Sequence, residues 1–119
     1  MDANAELAKL MRPTTAGDLA DLRSVLADHV AAIEARAQER SHLEVGLARD
    51  LAASFTTLID EGGLDDEQRS LLRAAIDYFV QPYDAEADLS SPIGLEDDAF
   101  IANTAFERLG RPDLTVSAI

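Results

Sequence analysis

The stretch LIDEGGLDDEQRSLL, residues 58–72, decides how this chain folds. It closes one helix and opens another within a few residues. Leu58 and Ile59 end an apolar stripe of helical period. Gly62-Gly63 then supplies the left-handed backbone that a helix C-cap requires. Asp65 with Gln68 three residues on forms a capping box, and Asp66 and Glu67 place negative charge where the helix dipole favours it. The apolar residues Leu71, Leu72, Ala75, Ile76, Phe79 and Val80 follow at helical spacing and predict a helix over 65–80, stopped by Pro82.

Working outward, Leu43, Leu47, Leu51, Phe55 and Leu58 define the helix before the turn. The pair Ser41 and Glu44 has the S-x-x-E form of a capping box, so this helix is expected to start near Ser41. The alternative is one bent helix over residues 18–60, because neither Gly nor Pro separates the two stripes. Ahead of it, Leu19, Leu22, Val25, Leu26, Val30 and Ile33 recur at steps of three and four, which predicts a helix to about Arg40. Thr15 with Asp18 fits a capping pair at its start. Residues 1–13 read as a loosely held arm in which Met1–Met11 can form a short helix ended by Pro13. A last helix is expected from Glu96 or Asp97 through Leu109, with Gly110 and Pro112 as its stop. The expectation is all-α: one domain over 1–119, a small bundle of four main helices with an ordered acidic loop between the last two, and a wet tail over 110–119.

Composition limits function. The chain has 119 residues, no cysteine and a net charge of −13. Disulfides, thiolate metal sites and a Cys nucleophile are therefore excluded. No apolar run approaches the roughly 20 residues needed to span a bilayer, so no integral membrane segment is expected. The N-terminus lacks the pattern of a secretion signal, which makes the cytoplasm the expected location. Nucleic acid and anionic membranes would be repelled. The charge is uneven: residues 60–98 hold twelve Asp or Glu against Arg69 and Arg73, and so carry −10 of the −13.

The densest part of that segment is YFVQPYDAEADLSSPIGLEDD, residues 78–98. Its spacing Tyr78, Pro82, Asp84, Asp88, Gly94, Asp97, Asp98 resembles the signature of the YkvA-like helical domain family, over about residues 64–109. Three features depart from that pattern. Ala87 stands where the family usually has proline, the later proline is Pro92 rather than at 91, and Tyr83, Ala85 and Glu86 replace apolar neighbours. The resemblance implies a helical fold and no reaction. Many relatives look membrane-associated, which this acidic chain does not support.

Each motif position has a structural reading. Asp84 and Asp88 can accept backbone amides in the turn, Gly94 suits a conformation closed to other residues, and Asp97 and Asp98 fall in the first helical turn. The other reading is a cation site. Asp84, Glu86, Asp88 and Ser90 alternate as the ligands of a calcium loop do, with Asp97 and Asp98 closing from the next helix, which suits Ca²⁺ or Mg²⁺. Leu89 and Leu95, however, stand where such a loop needs its Gly and its bidentate Glu.

His29 and His42 lie on different helices without metal-ligand spacing and read as surface or boundary side chains. Ser54, Thr56 and Thr57 lack a nucleophile-elbow context. Tyr78 and Tyr83 read as packing residues. With no catalytic constellation, the favoured reading is a non-catalytic module that binds a protein with a basic surface and needs no cofactor. The alternatives are a divalent-cation-binding protein or metal-dependent hydrolase at Asp84, Glu86, Asp88, Asp97 and Asp98, and an acidic inhibitor or antitoxin mimicking nucleic acid. The broad stripe of the first main helix suits a partner helix as well as the core, so a homo-oligomer is compatible with each.

Overall fold

The turn after residue 61 forms as its sequence dictates. Gly62 and Gly63 take φ of 65° and 73°, and the Gly62 amide donates to the Leu58 carbonyl at 3.3 Å. The Asp65 box is reciprocal: the Gln68 amide donates to the Asp65 carboxylate at 2.8 Å, and the Asp65 amide to the Gln68 side chain at 2.9 Å. The computed structural model describes residues 2–35, 42–80 and 94–116, with side chains from residue 45 and from residue 97 in the last two stretches. It is all-α among the described residues. The helices are α1 (Ala3–Leu10), α2 (Ala16–Ala35), α3 (His42–Glu61), α4 (Asp66–Val80) and α5 (Gly94–Arg108), followed by a 3₁₀ turn at Pro112–Leu114.

Helices α2 and α3 form an antiparallel hairpin. Arg23 pairs with Asp60 while Arg49 pairs with Glu34, so the start of α2 lies beside the end of α3 and the reverse. A single bent helix cannot make both pairs, which settles that question in favour of two helices. The Ser41–Glu44 box lies outside the described side chains. At the other end of α2, the Thr15 amide donates to Asp18 and the Asp18 amide to the Thr15 hydroxyl, both at 3.0 Å.

The hairpin closes on α4 and α5 through three phenylalanines. Phe55 of α3 meets Phe79 of α4 at a ring separation of 5.8 Å and Phe106 of α5 at 5.3 Å, both tilted. All three rings are fully buried. Tilted pairs at these separations contribute about 0.5–1.5 kcal/mol beyond the area they bury. Helix α4 is closely enclosed, with Ser70, Leu71, Leu72, Ala74, Ala75, Ile76 and Phe79 all buried.

Two expectations change. Four main helices become five, because the stretch expected as a loose arm is a packed helix. Asp2 caps α1 by accepting the amides of Asn4 and Ala5. Leu7 is wholly buried, Ala3 nearly so, and Leu10 and Met11 pack on the core; α1 lies against α4 and α5. An eight-residue helix is not stable alone in water, so this docking is what holds it. The tail is likewise anchored as far as Val116, although Pro112, Asp113 and Thr115 stay exposed. Ser54 donates to the Leu114 carbonyl at 2.8 Å, and Asn103 exchanges two hydrogen bonds with the backbone of Val116.

The helix before that tail ends in a Schellman motif. Gly110 takes φ of 76°, with Gly110 donating to Glu107 and Arg111 to Phe106. Leu7→Ala should cost about 2–5 kcal/mol in a urea unfolding titration, the range for a fully buried leucine; a free arm would lose almost nothing.

Candidate functional site

The sequence places its candidate site at Asp84, Glu86, Asp88, Asp97 and Asp98. The first three, with Pro82, Tyr83 and Pro92, lie outside the described residues. Gly94 opens α5. Asp97 and Asp98 share its first part but face differently: Asp97 is half-buried, whereas Asp98 is 4 % exposed, on the side facing the core. Tyr78 packs half-buried against the core from α4. Among the described residues no three His, Cys, Asp or Glu side chains gather around one point as metal ligands. His29 is half-buried, its ring standing edge-on to Phe79 at 4.8 Å, a packing role. The His42 side chain lies outside the described set.

The described acidic residues concentrate instead at the corner where α3 passes into α4. Asp60, Glu61, Asp65, Asp66 and Glu67 are all exposed there. Three arginines shape the corner. Arg69 reaches across it, donating to the carbonyls of Thr14 at 2.8 Å and Leu64 at 2.6 Å while pairing with Asp66. Its own side chain is largely covered, yet the Asp66 side chain is 96 % exposed. Arg23 holds Asp60 at 2.7 Å. Arg111 joins Glu61 to the C-terminal turn and pairs with Asp113 through two bonds of 3.0 and 2.9 Å.

The electrostatics follow from these contacts. Hydrogen bonds from Arg111 hold the Asp113 carboxyl below its usual range. Asp113 and then Glu61 raise the Arg111 guanidinium above its own. Asp18 is likewise lowered, first by the Thr15 amide and then by the Thr15 hydroxyl, with Arg73 and Arg12 assisting.

Beside the corner runs an open depression of about 650 Å³ between the α1–α2 connector and the first turns of α4. Arg12, Thr14, Asp66, Glu67, Arg69 and Ser70 are among its lining residues. Behind it, Arg12 bonds Asp77 at 3.3 Å, and Arg73 lies 3.6 Å from Asp77 and 3.8 Å from Asp18. The depression thus has an ion-paired back wall, where Arg12 and Arg73 meet Asp77 and Asp18, and an acidic lip at Asp66 and Glu67. The arrangement suits electrostatic capture of a cationic side chain.

Sequence reasoning missed Arg111 and Asp113. The turn signal Gly110-Arg111-Pro112-Asp113 is visible, but the pairing of Arg111 with Glu61, fifty residues away, is not. No family model matches the chain, and neither a curated protein nor a solved structure does so.

The lowered carboxyls give a signed expectation. A group whose folded pKa lies below its unfolded value stabilises the fold above the unfolded value, near 3.8 for Asp18, and loses that contribution as pH falls through the folded value. Urea midpoints measured at about pH 6 and about pH 3 should drop less in Asp18→Asn than in the wild type. Equal drops would remove Asp18 from the acid response.

Proposed function

We propose that the protein is a non-catalytic interaction module whose acidic corner between α3 and α4 docks a basic surface of a partner protein. One observation carries this reading: a turn fixed by Gly62, Gly63, the Asp65–Gln68 box and Arg69 presents a cluster of exposed carboxylates from a rigid base. Rigidity matters because a partner then loses little freedom in ordering the site. The arginines already there do not spoil it. Exposed ion pairs contribute only about 0–1 kcal/mol, so a partner's lysine or arginine can replace or extend them.

The resemblance of residues 78–98 to the YkvA-like helical domain family supports the same reading, since it implies a helical scaffold and no reaction. On this proposal the bundle continues through an ordered acidic turn between α4 and α5, which adds charge to the same segment, and the protein acts in the cytoplasm. A nucleic-acid mimic would present bare carboxylates in rows. Here Asp60, Glu61 and Asp66 each meet an arginine, which favours a protein partner over mimicry.

Binding of a fluorescent oligolysine peptide to the full chain should weaken steeply as NaCl is raised. Asp66→Asn with Glu67→Gln should weaken it further at fixed salt, while Asp21→Asn with Asp28→Asn on α2 should leave it nearly unchanged. Equal losses in the two double variants would mean that bulk charge, and not the corner, does the binding.

A thermal melt separates the cation reading at Asp84, Glu86, Asp88, Asp97 and Asp98. We expect Ca²⁺, Mg²⁺ and Mn²⁺ to leave Tm unchanged. A Tm rising with ion concentration reports native-state binding and would replace the interaction reading.

A further inference from the structure

We infer that the outer groove of the α2–α3 hairpin is a self-association surface and that its occupant is the same groove of a second copy. The groove has a volume of about 620 Å³ and lies on the outer side of the hairpin. Leu26 forms its floor; Ala27, Val30, Ala52 and Ala53 line its apolar length. Leu26 is buried, Val30 and Ala52 are half-buried, and the two outermost alanines are exposed. Small side chains along the crest let a neighbouring helix approach closely, as helix-to-helix packing at 8–10 Å requires.

The choice of occupant comes from the charges at the ends. Arg23 and Asp60 stand side by side at one end, and Glu34 and Arg49 at the other. Each helix carries one positive and one negative end, so like charges lie on the diagonals of a rectangle. This pattern complements itself. A twofold axis lying in the plane of contact and crossing the helices sets Arg23 over Glu34 of the second copy and Arg49 over its Asp60. An axis running along the groove sets Arg23 over Asp60 and Arg49 over Glu34. Either way every guanidinium meets a carboxylate, and no like charges face each other.

The overall charge points to the same surface. Two copies of a −13 chain repel, and they approach most easily through a face whose charges cancel. The four corner residues sum to zero, unlike the acidic corner between α3 and α4. Twenty-residue helices are about 30 Å long, so a pair set about 10 Å apart offers roughly 600 Å² per copy. Stable interfaces bury about 800 Å² per partner, so the dimer should be reversible and visible only at higher concentration.

Sedimentation equilibrium on the full chain tests this. The mass should rise from one copy towards two as protein concentration increases. Ala53→Glu puts a charge on the groove crest, and Arg49→Glu sets like charges together under both axes; each should hold the mass at one copy. Val25→Glu changes an exposed residue elsewhere on α2 and should behave as wild type. Circular dichroism of each variant must show unchanged helicity, which both substituted positions, being exposed, allow. Asp66→Asn with Glu67→Gln lies outside the groove and should leave the rise in mass intact while it weakens oligolysine binding, so the two proposals fail independently. A wild-type mass of one copy at every soluble concentration, or a dimer that survives both groove variants, overturns the inference.

Discussion

The contact on which the structure turns is that of Phe79 with Phe55, which in turn packs on Phe106. These rings join α3, α4 and α5, and α4 then serves as the surface on which α1 and α2 also rest. A helix enclosed on so many sides needs apolar residues on most of its girth. In α4 the polar residues therefore fall at its first turns, Asp66, Glu67 and Gln68, and on the flank holding Arg73 and Asp77. The acidic corner is a consequence: once the middle of the helix is buried, charge is left to one flank and to the turn where the chain enters it.

The described cations are committed to structure. All eight described lysine and arginine side chains engage an acceptor. Lys9 pairs with Glu6, Arg12 and Arg73 with Asp77, Arg23 with Asp60 and Arg49 with Glu34, while Arg69, Arg108 and Arg111 bind across element boundaries. Several of these contacts tie distant segments together: Arg69 to the connector before α2, Arg108 to Asn4 of α1, Arg111 to the end of α3. The surplus of acid over base is then what solvent and partners meet. A net charge of −13 so distributed opposes compaction through self-repulsion, and the buried aromatic and leucine core must offset it.

Local chemistry was readable from sequence, and distant pairing was not. The Thr15–Asp18 and Asp65–Gln68 boxes and the Gly62 and Gly110 stops depend on residues three to five apart, and each formed as its spacing indicated. The docking of α1 depends on Leu7 reaching helices that begin at Asp66 and Gly94. A segment of eight residues carries too few apolar repeats to announce a face, so it looked like an arm. The anchoring of the tail is hidden from the sequence for a related reason. Leu114 and Val116 are held by Ser54 and Asn103 through backbone carbonyls, and no side-chain pattern records a carbonyl's partner. The excess acid of residues 60–98 is plain in the sequence, whereas the α3–α4 corner also depends on Arg69 reaching the Thr14 carbonyl fifty-five residues away, which no local spacing records.

The two proposed surfaces are joined by charge. Both lie on α3, whose end contributes Asp60 to the groove rectangle and stands beside the acidic corner. A basic partner on the corner reduces the net charge of the copy it binds, and so lowers the repulsion that opposes pairing through the groove. At physiological salt the screening length is about 8 Å, short enough that corner and groove do not cancel one another, yet long enough for charge at the α3 end to be felt at Arg23. Linkage is reciprocal: if a basic partner favours the paired form, the paired form must bind that partner more tightly by the same factor. Asp60 is the residue through which the two effects meet, because it faces Arg23 within one copy and a guanidinium of the other.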